Sequence, residues 1–453
     1  MKGIIRETFE DKSFIRKTIT IGIPIAFQGL LNTLLNLVDN MMIGSLGETS
    51  IAAVGLANKV FFVFTLLLFG IVSGSSVLTA QYFGKKDVKN IRRVLGLSLI
   101  IGLTGAFIFM LGGLFIPESV MKIFTPNENT IKIGVSYLSI VAISYPLTAI
   151  TNCYIALLRA TNKVKAPVFI SIAAILVNVV LNYTFIYGHF GFEALGVRGA
   201  AIATVIARLV EVVSILAVVY ISKGEAAAKI KELINFNKEF IKKYFIIVSP
   251  VIANEFVWGL GVTMYSLVYG RMGDSAVASI TITQNVEQIC VVIFQGLSAA
   301  TAVILGNELG ANKIEKADKH AKGFFVLQFM LTIVMATVCL TIRKPLINLF
   351  NVDGKVASDI VKCLNVFIIY LPFRMFNLVN IVGVLRSGGD TKASLLLDMT
   401  GVWLVGIPFA FLGGIVLKLP IYYVYAMITI EEVYKFILGF IRYRKKKWLK
   451  KIV

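Results

Sequence analysis

Residues 19–43, ITIGIPIAFQGLLNTLLNLVDNMMI, decide the fold. The stretch is about as long as a helix must be to cross the hydrocarbon core of a bilayer, and most of it is apolar. Gln28, Asn32, Asn36, Asp39 and Asn40 nevertheless recur at intervals of three and four. That spacing lays them along one face of a helix. A carboxylate near the middle of a spanning helix costs roughly 2.5–3.5 kcal/mol on insertion scales, so it faces protein or a wet cavity rather than lipid. One amide alone would read as glue between neighbouring helices. Five polar residues in a stripe that ends in an acid read as the lining of a polar cavity.

Composition widens the point to the whole chain. Of 453 residues 57% are hydrophobic, and the mean hydropathy is +0.83, which excludes a soluble globular protein. No cleavable leader is expected, because the first apolar segment is too long for one and a basic stretch precedes it. The net charge of +20 does not point to nucleic acid, since the cations sit in short segments between apolar runs. Cys153, Cys290, Cys339 and Cys363 each stand alone in apolar segments, and His189 and His320 fall in or beside loops. No zinc site, disulfide framework or histidine chemistry is supported. No G-x-x-x-x-G-K-[ST] phosphate loop occurs either. An enzyme is not expected, nor is a cofactor.

Hydropathy predicts an all-α integral membrane protein of twelve transmembrane helices, at 18–43, 51–83, 91–116, 131–158, 168–188, 197–221, 243–270, 277–306, 319–342, 359–385, 393–417 and 419–441. Lysine and arginine crowd the amino end, alternate loops such as 85–93, 159–165 and 313–322, and the tail 442–453. By the positive-inside rule both termini are cytoplasmic, and the expected setting is the plasma membrane.

The chain also repeats itself. Pro24 and Pro250 are 226 positions apart, and the same shift lays LGETSIAA (46–53) on MGDSAVAS (272–279) and Pro146 on Pro372. A one-residue slip then puts LRATNKVKA (158–166) on LRSGGDTKA (385–393). Two pseudo-symmetric six-helix bundles follow: an amino lobe 1–222 and a carboxyl lobe 243–441, with a basic tail at 442–453. Parallel repeats of this kind are transporter architecture. The joining segment 223–242, rich in Glu and Lys, is predicted to be an amphipathic helix.

The candidate site residues lie inside the spans. Asn178 and Asn182 are four apart and share a helix face, and Thr204 lies about one turn into the sixth span. With Asp39 they supply one carboxylate, two amide oxygens and a hydroxyl. This set of hard donors suits Na⁺, or else Asp39 carries a proton. In the second half Glu255 sits mid-span beside Asn254 and just before Trp258, and the eighth span repeats the stripe with Gln284, Asn285 and Gln288. Aromatic and amide groups around an acid suit a bulky organic cation. Arg374 is the expected partner if Glu255 is instead a structural ion pair. Arg208 with Glu211, and Glu431 with Lys435, have the spacing of self-satisfied helical pairs.

The segments GLSAATAVILGNELGANKIEKA (296–317), GIVSGSSVLTAQYFGKKDVKN (70–90), LRSGGDTKA (385–393) and LVDNMMIGSLG (37–47) resemble the multidrug and toxic-compound extrusion (MATE) family. The resemblance runs over the whole chain. It implies two lobes that rock between outward- and inward-open states, exporting cationic or amphipathic organic compounds in exchange for Na⁺ or H⁺. It also implies an amino-lobe cation site at Asp39, Asn178, Asn182 and Thr204, and a further ion-coupling acid at Glu255. Gln28, Asn32, Asn36, Trp258, Gln284, Asn285, Gln288 and Arg374 are then the expected substrate contacts. The DinF-like branch has an acid where this chain has Asn182. The NorM-like branch has an acid in the tenth span, where this chain offers only Arg374. The chain is expected to act as a monomer in the bilayer. The rival expectation, a flippase for lipid-linked saccharides, requires clustered Arg and Lys for a pyrophosphate, and none is seen.

Overall fold

The computed structural model describes residues 2–347 and 353–453, apart from the side chains of residues 2, 4, 344, 346 and 347. Among the described residues the regular structure is helical. In chain order the helices begin with α1 (Lys2–Glu10), α2 (Lys12–Gly44), α3 (Glu48–Gly84), α4 (Val88–Phe115), α5 (Pro117–Phe124), α6 (Glu128–Val141), α7 (Ser144–Ala160), α8 (Lys165–Tyr187) and α9 (Val197–Ser222). They continue with α10 (Ile230–Leu233), α11 (Lys238–Arg271), α12 (Asp274–Gly310), α13 (Ile314–Ile347), α14 (Gly354–Asn377), α15 (Thr391–Thr400), α16 (Ile407–Phe411) and α17 (Ile421–Arg444). π-Helical segments at Leu378–Leu385, Gly401–Gly406 and Leu412–Val416 extend α14, α15 and α16.

Ten of the described helices are long and apolar enough to cross a membrane, eleven if one bent pair counts as a single span. Two expectations change here. The predicted span 131–158 is broken into α6 and α7, which meet at 48°. The break lies at 142–143, and the ring of Pro146 crowds the carbonyl four residues before it, that of Ala142. The predicted last span, 419–441, exists as α17 but falls short in apolarity. Glu431, Glu432 and Lys435 sit together at its middle.

The chain forms two compact units. One, here the amino unit, comprises residues 27–83 and 87–252; the other, the carboxyl unit, comprises 1–26, 84–86 and 253–453. The chain passes from one unit to the other inside α2 and inside α11, two or three residues after Pro24 and Pro250. Each proline removes a backbone N–H from its helix, yet both helices continue through it. Gly22 has a packing role within the carboxyl unit. A β-carbon on its partner Gly296 would lie 2.4 Å from the Gly22 carbonyl oxygen, so the missing side chains let α2 and α12 cross closely.

The amphipathic helix predicted for the joining segment is absent. α9 stops at Ser222, Lys223 takes a left-handed conformation, and the chain turns through Gly224–Ala227. Only the four-residue α10 forms, with the Glu232 side chain accepting from the Lys229 backbone N–H at 2.7 Å. The Asn237 side chain then caps the start of α11 by accepting from the Phe240 N–H at 2.9 Å. The segment lies along α4 of the amino unit, clamped by Arg92–Glu232 and Lys163–Glu225, both 2.5 Å. Burial opposes ionisation of Glu225, but bonds from Lys163 and the backbone and the charge of Arg92 outweigh it and hold its carboxyl below the ordinary value. The clamp is therefore at full strength near neutrality and is lost as pH falls through the carboxylate range.

Gly96 of α4 permits this packing, since a β-carbon there would lie 1.8 Å from the Leu233 carbonyl oxygen. Gly96→Ala should lift the segment off α4 at a cost of about 1–3 kcal/mol. Limited trypsin digestion of the purified protein reads this as faster cleavage after Lys229 and Lys231; an unchanged rate would show that the segment is not held there.

Candidate functional site: a polar cavity in the amino unit

The amino unit encloses a cavity of about 370 Å³ lined from α2, α3, α6, α7, α8 and α9. Its wall from α2 is the polar stripe of the opening sequence, here Asn32, Asn36, Asp39 and Asn40. α8 adds Ser171, Asn178 and Asn182, and α9 adds Thr204, Arg208 and Glu211. These fall at intervals of three, four and seven along their helices, one face each.

Asp39 is engaged by an amide. Asn182 Nδ2 donates to Asp39 Oδ1 at 2.7 Å and to Asn178 Oδ1 at 3.2 Å. Asn178 and Asn182 are buried, at 4% and 2% exposure. The carbonyl oxygen of the Asn182 side chain is buried with no hydrogen-bond partner. Leaving such an acceptor unsatisfied costs about 1–3 kcal/mol, and it belongs to the amide that also donates to the Asp39 carboxylate. Thr204 spends its hydroxyl proton on the Ala200 carbonyl at 2.9 Å, and its oxygen lone pairs remain available. The structure thus brings Asp39, Asn178, Asn182 and Thr204 to one cavity, with Asn32 and Asn36 on the same wall.

Gln28 is not among the residues that line it. It shares the helix face but lies about 16 Å along the axis from Asp39. At that level Arg159 donates to its carbonyl at 2.6 Å, and its own amide donates to Ser171 at 2.6 Å. Both ends of its amide are therefore committed.

Glu255, Trp258, Gln284, Asn285, Gln288 and Arg374 belong to the carboxyl unit. Gln284, Asn285 and Gln288 form an exposed stripe on α12, and Trp258 is 38% exposed. Arg374 is not the partner of Glu255, contrary to the expectation. It donates to Glu287 at 2.9 Å and to Tyr370 at 3.0 Å, whereas Glu255 is held by Arg386 at 3.0 Å. Beside Glu287 the Arg374 side chain remains 32% exposed. The sequence held one clue to Arg386. It is the second residue of the LRSGGD copy of the repeated motif, and its counterpart in LRATN is Arg159, which bonds Gln28 of α2 as Arg386 bonds Glu255 of α11. The pair Glu431–Lys435 proves to be part of a larger cluster. Lys435 Nζ lies 3.2 Å from Glu432, 3.4 Å from Glu431 and 3.9 Å from Asp398. Sequence reasoning also missed Asn58 and Tyr137 at the cavity; Asn58 stands beside Lys59 and Tyr137 beside Ser136, but neither has a polar residue three or four positions away to mark a face.

The contrast between the units is chemical. Glu255 and Glu287 each have a guanidinium, and Glu431 and Glu432 share an ammonium. Asp39 has the amide of Asn182.

Comparison with known proteins agrees with this architecture. The family model MatE matches residues 24–184 and 250–412, well over half the chain. An uncharacterised transporter, YisQ, of Bacillus subtilis is 25% identical across 97% of this chain and 96% of its own. A probable multidrug resistance protein, NorM, of Thermotoga maritima is 25% identical over 98% and 95%. A crystal structure of a MATE protein in a bent conformation superposes with a TM-score of 0.87 over 98% of this chain and 97% of that one, at 20% identity.

Proposed function

The chain belongs to the MatE family of multidrug efflux transporters, and on that premise we propose that it exports cationic or amphipathic organic molecules in exchange for Na⁺ or H⁺ by alternating access. The observation that carries this reading is the buried, unpartnered Asn182 carbonyl beside Asp39 in the amino-unit cavity. A cation that settles among Asp39, Asn178, Asn182 and Thr204 neutralises the carboxylate and lowers its attraction for a cationic cargo. Release of the ion restores that attraction. Exchange requires only that the ion bind the outward- and inward-open states with different affinity. One charge moved across 100 mV supplies about 2.3 kcal/mol. The orphan carbonyl favours Na⁺ over H⁺, because a proton needs only the carboxylate.

The same reading places the protein in the plasma membrane with both termini in the cytoplasm. It acts as a monomer, with lobes 1–222 and 243–441, the connector 223–242 and the tail 442–453. It needs no cofactor besides the coupling ion. Glu255, locked by Arg386, is a structural acid in this scheme, and Trp258, Gln284, Asn285 and Gln288 are exposed groups available to cargo. A lipid-linked saccharide is not favoured, because the cavity offers Arg208 already bonded to Glu211 rather than converging bases.

The test is ethidium efflux from proteoliposomes with imposed Na⁺ or pH gradients. A Na⁺ gradient should drive efflux. Asn182→Leu should raise the Na⁺ concentration for half-maximal rate by about tenfold or more, the loss of one charge-assisted contact. If neither gradient drives efflux, the proposed function is wrong.

A further inference from the structure

α1 and α2 meet at Asp11, and a histidine holds the joint between them. The Asp11 carboxylate caps α2 by accepting from the Phe14 N–H at 2.9 Å. Its other oxygen lies 3.1 Å from Nε2 of His320 on α13. On the far side of the same ring, Nδ1 lies 2.7 Å from Glu308 Oε1 on α12. The imidazole is buried and stacks on the Phe14 ring, with centroids 4.4 Å apart. All four residues belong to the carboxyl unit.

A carboxylate oxygen brings only lone pairs, so a ring nitrogen that near to one must present a proton. Neutral imidazole has a proton for one nitrogen only. Two carboxylates, one on each side, therefore require imidazolium. The neutral ring would turn a bare lone pair on one of them.

The internal duplication shows that the fold can make this joint without charge. The shift of 226 lays DKSFIRK (11–17) on NKEFIKK (237–243). Asn237 caps α11 through the Phe240 N–H at the same 2.9 Å, and Phe240 stacks on Tyr82 as Phe14 stacks on His320. The same shift sets Tyr82 against Glu308 and Val94 against His320. The amino unit thus has an amide, a phenol and an aliphatic side chain, all uncharged near neutrality. At those three positions the carboxyl unit has a base between two acids.

The other charges about the ring come from three elements. Glu7 of α1 meets Lys319 of α13 at 3.7 Å. Asp318 of α13 is held by Lys322 at 2.9 Å and by Lys446 of the tail at 3.1 Å. Glu315 lines the cavity of about 300 Å³ beside the joint. The Phe14 N–H, with His320 and the charge of Lys316, outweighs burial and holds the Asp11 carboxyl below its ordinary value. Asp11 therefore supports the joint above the carboxylate range and fails it as pH falls through that range. The ring supports it while both nitrogens are protonated and fails it as pH rises.

We infer that His320 is a proton-operated clasp. As imidazolium it ties the start of α2 to α12 and α13; when it gives one proton to water the joint opens, and α1 leaves its place along α13. The device is independent of the polar cavity and of the coupling ion.

Hydrogen exchange of the full chain in detergent tests it, read by mass spectrometry and corrected for the intrinsic pH dependence of exchange. Protection over residues 2–14 should fall on the order of tenfold between about pH 5.5 and about pH 8, where histidines change charge, through loss of one charge-assisted bond. Peptides over 237–243 in the same digest should hold level, since that joint is built from Asn237, Tyr82 and Val94. His320→Gln should give low protection that no longer varies with pH. Glu308→Gln should keep protection high and abolish the fall, because an amide can face either form of the ring. A histidine that only fills space would leave the wild type without a fall, which overturns the clasp. So does a fall matched at 237–243, or one retained in His320→Gln or Glu308→Gln.

Discussion

Asp39→Asn should abolish ion-driven efflux while leaving the protein folded. The substitution keeps shape and volume and removes the carboxylate that a cation and a cationic cargo both seek. Asn182 still finds an oxygen to donate to, so the wall of the cavity is preserved. Cavity, amides and Thr204 remain, but nothing in them changes sign when an ion arrives. The gradient-driven rate in proteoliposomes should drop by on the order of 10- to 100-fold, the range spanned by one lost charge-assisted interaction. The residual ethidium movement should no longer respond to Na⁺. Thermal unfolding in detergent should stay near that of the wild type, since Asp39 is only partly buried and its partner is an uncharged amide. Retention of full Na⁺-dependent efflux would sink the assignment.

Lys435→Met should be the most destabilising single change in the carboxyl unit. Its ammonium stands among Asp398, Glu431 and Glu432, and all four groups are buried or nearly so. Tyr265 donates to Glu431 at 2.6 Å, Asn377 to Glu432 at 2.8 Å and Asn254 to Asp398 at 3.0 Å. These bonds orient the carboxylates but carry no compensating charge. Breaking one buried ion pair from one side costs about 3–5 kcal/mol, and here three carboxylates lose a shared partner. The apparent melting temperature of Lys435→Met should fall sharply. Adding Glu431→Gln and Glu432→Gln should recover much of the loss, because removing both signs of a buried cluster is far less costly than removing one. A Lys435→Met protein as stable as the wild type would mean that the cluster is not ionic.

The cavity was legible in the sequence because helical periodicity is a local signal. Asn178 and Asn182 four apart, and the stripe from Asn32 to Asp39, place themselves on a face without any knowledge of neighbours. What periodicity does not give is depth. Gln28 keeps the phase of the stripe and still misses the cavity, because its level along the axis is taken by Ser171 and Arg159. Nor does it give partners across helices. Glu255 and Arg386 are 131 positions apart in the chain, and nothing in either neighbourhood points to the other except the repeated Leu-Arg motif. The connector misled for a different reason. Its alternation of Lys and Glu has helical character, but Gly224 and the capping choices at Lys229 and Asn237 each favour local closure over continuation. In α17 the charges of Glu431 and Lys435 are plain in the sequence, but the contacts that bring in Glu432 and Asp398 are not.

The offset in the internal duplication has a structural home. Matching residues are 226 positions apart up to Pro146 and Pro372, and 227 apart from Leu158 and Leu385 onward. The π-helical segment Leu378–Leu385 lies in that interval, while the other copy is ordinary α-helix over Ser144–Ala160. A π turn is how a helix absorbs one added residue without breaking. The one-residue difference between the copies is thus carried inside a helix rather than in a loop. Because the wide turn takes up the added residue, the helix beyond it stays in phase with its counterpart instead of turning by the roughly 100° that one more α-helical residue would impose.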